Sequence, residues 1–184
     1  MNGILRTFDP LADPTYTLTA TDRLILFRSD KTHTEVQLSE RYGGVSVSAT
    51  KADGCDCVRF KMIDYTKHPN RWVSQVIELT DEQEDRLVKE ACRLADVPLL
   101  HLARLYVGTA NVLYGPKACK YDTIGVVLCN ILRTRIIRSN KNWYWCSELV
   151  CHLIQQAYPD FNGHADTQTP ESLSREWGNR EIAA

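Results

Sequence analysis

The sequence lacks a basic start followed by a long apolar run; its first ten residues read MNGILRTFDP. A secretory leader is therefore not expected. Its longest apolar stretches, such as that at 124–128, are far too short to span a bilayer. An excess of one charge is also missing. The formal net charge is −1 and no block of five like charges occurs, so nothing favours nucleic acid or an anionic membrane surface as partner. There is no internal repeat, no low-complexity segment and no C-x2-C knuckle. Cys55 and Cys57 form C-x-C, with no second ligand pair at a zinc-like spacing. Neither a metal nor an organic cofactor is called for. The expected location is the cytoplasm, and oligomeric state is left open.

Cysteine itself is not scarce. Seven are present: Cys55, Cys57, Cys92, Cys119, Cys129, Cys146 and Cys151. The number is odd and no leader precedes them, so free thiols are expected rather than a disulfide framework. Apolar residues make up 43% and charged residues 24% of the 184 positions, which is ordinary globular composition. One domain of this length buries roughly 70% of its unfolded surface and needs no staple.

Strand-like runs come first: 23–28, 32–38, 45–49, 57–63 and 72–79. Gly43 and Gly44 mark the turn between the second and third runs. The period then changes. Thr80-Asp81-Glu82-Gln83 has the pattern of a capping box and opens a helix to about Ala95. Tyr121 to Leu132 reads as a second, mostly buried helix. Ser147 to Tyr158 reads as a third, with Leu149, Val150, Leu153, Ile154 and Ala157 on one stripe. Thr169 to Leu173 starts a last short turn or helix. Strands followed by helices imply an α+β fold, with an antiparallel sheet packed against helices.

Cys146 stands at the start of the third helix. A helix N-terminus carries about half a positive charge and several N–H groups without intrahelical partners. Both favour thiolate over thiol, and the same N–H groups can hold an oxyanion on an attacked carbonyl. Most cysteines are instead small buried hydrophobes. Cys151, deeper in the same helix, fits that description.

His33 lies on an alternating strand, sharing a face with Glu35 and Gln37. If this strand pairs with the next about Gly43-Gly44, Val36 faces Val47 and Leu38 faces Val45. His33, Glu35, Ser46 and Ser48 then line the opposite, polar face. Such a face is usually solvated. In the functional alternative it meets the Cys146 helix, and His33 takes the thiol proton and later donates it to a leaving group. Ser48 is the first candidate to orient the ring and Glu35 the second. His68, His101, His152 and His164 read as structural or solvated.

Trp145-Cys146-Ser147-Glu148-Leu149-Val150 resembles the nucleophile motif of permuted papain-like amidases, the circularly permuted branch of the NlpC superfamily. Thr32-His33-Thr34-Glu35-Val36 resembles that family's strand histidine, which precedes the cysteine in permuted members. Tyr121-Asp122-Thr123-Ile124-Gly125 resembles its Tyr-Asp-x-x-Gly segment, and Thr169-Pro170-Glu171-Ser172-Leu173 its Pro-x-x-Leu segment. The resemblance covers about 23–177. One departure concerns the Glu that many relatives carry on the strand after the histidine: that place here is Ser48.

The resemblance implies a single thiol hydrolase domain over 1–184. Its substrate is an amide, isopeptide, thioester or acyl ester, cleaved through an acyl-enzyme on Cys146 with His33 as general base. Tyr121 and Trp145 are candidates for the substrate pocket. An acyltransferase of the same fold and a non-catalytic binding or virion component are the alternatives. Members occur in bacteria and viruses, so a phage-encoded enzyme working in a host cytoplasm is included in the expectation.

Overall fold

The computed structural model describes residues 2–26, 29–52, 54–123, 126, 142–161 and 168–183. The predicted helix over 121–132 falls mostly outside them, as do Cys129 and His164. The chain starts with a strand, β1 (Asn2–Phe8), which sequence patterning did not single out. Helix α1 (Ala20–Leu26) follows, then β2 (His33–Gln37), β3 (Ser46–Thr50), β4 (Cys57–Lys61) and β5 (Trp72–Glu78). Helix α2 (Asp81–Ala95) and the single turn α3 (Ala103–Tyr106) come next. Three short strands, β6 (Val112–Leu113), β7 (Lys120–Tyr121) and β8 (Trp143–Tyr144), lead to α4 (Cys146–Ala157) and α5 (Pro170–Ala183).

The pattern of 23–28 predicts a strand, but residues 20–26 are helical. The cause is a reciprocal cap. Thr19 Oγ1 accepts the Asp22 N–H at 3.1 Å, and Asp22 Oδ2 accepts the Thr19 N–H at 2.9 Å. Two otherwise unpaired donors are satisfied at the helix entry, which outweighs the apolar Leu-Ile-Leu run. The same device opens α2, where Thr80 and Gln83 exchange bonds of 2.8 and 3.2 Å. The last helix is longer than a short turn. It begins with Pro170 after Thr169, whose hydroxyl accepts the Ser172 N–H at 3.1 Å.

The strand order is β5-β1-β2-β3-β4-β7-β8, with β6 also on β4. Every pairing is antiparallel except β7 with β8. The fold is therefore mixed α+β, an antiparallel-rich sheet packed with helices. The β2–β3 register pairs Val36 with Val47, and the Leu38 N–H donates to Val45 O at 2.9 Å. The intervening turn ends with Gly43 and Gly44 at φ 70° and 66°.

One face of the sheet carries Leu5, Val36, Val47, Ala49, Val58 and Phe60, which join Leu87, Leu94, Leu149, Leu153 and Ile154 in the main apolar core. Helix α4 lies against β2 and β3, and α2 against β4 and α4. A buried carboxylate ties α2 to the turn beyond β2: Glu84 accepts the N–H and the hydroxyl of Ser39, each at 2.8 Å. Among the described residues no helix is long and apolar enough to cross a membrane.

Candidate functional site

His33 is the first residue of β2 and Cys146 the first of α4. Packing α4 onto β2 brings the two close enough for charge on Cys146 to act on the His33 imidazole. Cys146 follows the extended residue Trp145, whose N–H donates to the Glu148 carboxylate at 3.3 Å. That bond fixes the helix start and leaves Cys146 in its first turn. The thiol is nearly enclosed, with Cys146 only 2% exposed.

The second partner of the imidazole is Glu35. Its Oε1 lies 3.0 Å from His33 Nε2. Glu35 is two residues along the same strand, so the strand alternation places both side chains on one face. The Ser48 hydroxyl donates to Glu35 Oε1 at 3.2 Å, rather than reaching the ring itself. The structure thus reverses the expected order of these two residues around His33: the carboxylate faces the imidazole, and the serine stands behind the carboxylate.

The polar face of β2 and β3 is not solvated. Glu35, Ser46, Ser48 and Arg59 are all buried. A residue that sequence reasoning missed helps to close it. Tyr65, on a short 3₁₀ turn, donates to Glu35 Oε2 at 2.9 Å and shares a 2.5 Å bond with Ser46 Oγ. Arg59 approaches Glu35 Oε1 at 3.5 Å. The Arg6 guanidinium lies 4.3 Å from the centre of the Tyr65 ring, and Trp72 meets Tyr65 and His33 edge-on. The alternation of β4 offered a faint signal for Arg59. Tyr65, in an irregular segment, offered none.

Electrostatics follow from these contacts. Burial works against an imidazolium at His33, but the hydrogen bonds and charges of Cys146 and Glu35 outweigh it and raise the pKa to about 10. Burial likewise opposes ionisation of Glu35, and His33, Arg59 and Tyr65 overcome it to lower the carboxyl to about 2. Tyr65 is pushed far up, by burial and then by the Glu35 charge, so its phenol stays a donor.

No family model, curated protein or solved structure matches this chain.

Tyr121 is buried at the end of β7, close enough to feel charge on Cys146; burial first, and that charge second, raise its pKa. It is a strand residue rather than the first residue of a helix. Trp145 is also buried, and its indole N–H donates to Ser147 Oγ at 3.1 Å and Gln168 O at 3.2 Å. Trp145 and Cys146 both line a small pocket. The other described histidines stand elsewhere. His152 pairs with Glu90 at 2.8 Å, His68 faces Asp13 at 3.9 Å, and His101 is exposed. Among the described residues no group of three His, Cys, Asp or Glu is arranged to hold a metal. The six described cysteines are all buried.

Proposed function

We propose that the chain is a cysteine hydrolase with a papain-like arrangement, cleaving an amide or isopeptide bond through an acyl-enzyme on Cys146. One observation carries this reading: the His33 imidazole meets the buried Glu35 carboxylate at 3.0 Å and lies near enough to Cys146 to feel its charge. Such a chain of groups lets the thiol proton reside on His33, with the imidazolium held by Glu35. A structural cysteine needs neither partner.

In the first half-reaction the sulfur attacks the carbonyl carbon and the C–S bond forms. The backbone N–H groups at the start of α4 face the developing oxyanion. His33 gives its proton to the leaving nitrogen as the C–N bond breaks. In the second half-reaction His33 takes a proton from water, which attacks the thioester and frees Cys146. Glu35 orients the ring throughout; Ser48, Tyr65 and Arg59 hold Glu35.

The test is a panel of peptide amides, isopeptides and thioesters, followed by intact mass of the protein and peptide mapping. A transient acyl adduct on Cys146, absent from Cys146→Ala and greatly slowed in His33→Ala, is the expected result. Turnover that survives Cys146→Ala contradicts the reading.

A further inference from the structure

The balanced net charge of the whole chain hides a local excess. From Val97 to Tyr121 the sequence has no Asp or Glu, against Arg104, Lys117 and Lys120. The same stretch carries an exposed apolar ridge. A 3₁₀ turn, Leu99–Leu102, runs directly into α3. Leu102 and Leu105 are buried and anchor the segment on the main core. Leu99, Leu100, Tyr106 and Val107 are each more than half exposed, Leu100 at 83%. The spacing explains the division. Leu100, Ala103 and Val107 fall three and four apart, on the side opposite Leu102 and Leu105. Leu99 and Tyr106 edge that stripe on one flank, and the exposed His101 and Arg104 on the other.

The returning chain extends the ridge. The Gly115 N–H donates to Ala95 O at 2.8 Å and the Lys117 N–H to Asp96 Oδ2 at 2.9 Å. These bonds hold Tyr114 and Lys117, both exposed, at the end of α2 from which the 3₁₀ turn leaves. They also engage Asp96, the nearest acid along the chain. At the other end the Tyr106 ring packs on Gly43. There Asp85 is bound by Arg41 at 2.6 Å and by Tyr42 at 2.5 Å, and Glu40 lies on the same turn. The positive charge is thus concentrated towards the Leu99–Leu100 end.

Any partner gains by covering apolar surface, so charge and shape decide between partners. A second copy meeting the same patch would bring Arg104 and Lys117 against their own counterparts. A rigid protein would need a groove matched to a ridge that projects one leucine almost wholly into solvent. A bilayer surface needs no such groove. It takes Leu and Val among its outer acyl carbons, Tyr at the headgroup level, and Arg and Lys against anionic headgroups.

We propose that the ridge from Leu99 to Val107 docks the protein on an anionic lipid surface, with Leu99 and Leu100 entering deepest and Arg104 and Lys117 meeting the headgroups. The docking stands independently of the hydrolase reading.

Flotation of the full chain with vesicles tests it, comparing phosphatidylcholine alone with phosphatidylcholine containing about one third phosphatidylglycerol, at low and high salt. Expected is at least about ten-fold stronger partitioning onto the anionic vesicles, weakened at high salt. Leu99→Ser with Leu100→Ser should weaken it by at least about ten-fold. Arg104→Gln with Lys117→Gln should weaken it by about as much, on the anionic vesicles only. All four positions are exposed, so thermal unfolding should match the unaltered chain, and either pair decides if the other fails to fold. No partitioning onto either vesicle, equal partitioning onto both, or partitioning that a folded variant pair leaves intact overturns the proposal. So does a concentration-dependent dimer in sedimentation that Leu99→Ser with Leu100→Ser abolishes, since the ridge then covers a second copy.

Discussion

Tyr65 donates its phenolic hydrogen to Oε2 of Glu35 at 2.9 Å, leaving Oε1 of the same carboxylate to face His33. A buried carboxylate loses its water and needs every lone pair occupied. Tyr65→Phe removes one donor and leaves the rest in place. The expected cost is about 1.5–3 kcal/mol, the range for a hydrogen bond to a charged group. Urea unfolding of the two proteins at pH 7 measures it. Equal stability means that the phenol does not support Glu35.

Cys146 and Glu35 both hold the proton on His33, whose pKa is raised to about 10. Removing either should lower it. In Cys146→Ala and in Glu35→Gln, the His33 ring signal followed by NMR should titrate at lower pH than in the unaltered chain. The alkaline limb of any hydrolytic activity should move down with it in Glu35→Gln. A ring titration that neither substitution shifts contradicts the three-residue contact.

Stability should depend on pH through the same pair. Glu35 is held at about 2 against an ordinary 4.5. Its contribution is therefore complete above 4.5 and is lost as pH falls towards 2, amounting to about 3 kcal/mol for a shift of this size. His33 is the reverse: its contribution is complete below the ordinary 6.5 and is lost as pH rises through about 10. Both limbs report one interaction and do not add. Between pH 5 and 3, Glu35→Gln should lose less stability than the unaltered chain, because an amide has no proton to gain there.

The turn between β2 and β3 gives a mechanical test. Gly43 and Gly44 both have positive φ, where a side chain costs about 1–2 kcal/mol. A Cβ on Gly44 finds ordinary contacts no closer than 3.5 Å, whereas one on Gly43 comes to 2.6 Å from the Tyr106 ring. Gly43→Ala should destabilise more than Gly44→Ala in thermal unfolding. The opposite order contradicts this packing of Tyr106 against the turn.

Periodicity made much of the sheet legible, because β2 and β3 alternate cleanly and only one register buries Val36, Leu38, Val45 and Val47 together. The Thr80–Gln83 cap was legible too, being a local pattern with a local cause. Residues 20–26 misled, since an apolar run suits either a strand or a helix. What settled it was a Thr19–Asp22 cap lying just ahead of the run. Strand β1 carries a Gly and an Arg within seven residues and reads weakly by itself; pairing with both β2 and β5 makes it a strand.

At the site, Cys146, His33, Glu35 and Ser48 were each visible as chemistry on an element. Their order was not. A strand pattern says which side chains share a face, not whether a serine or a carboxylate reaches the imidazole. Tyr65 became visible only when the polar face proved to be closed over.

The most direct measurement is the rate at which iodoacetamide alkylates each cysteine of the folded chain from pH 4 to 9, located by peptide mass mapping, with His33→Ala alongside. The account predicts that Cys146 reacts first despite its enclosure, and that His33→Ala slows it near neutral pH. A Cys146 that stays inert in the folded protein, or another cysteine that dominates regardless of His33, would contradict it.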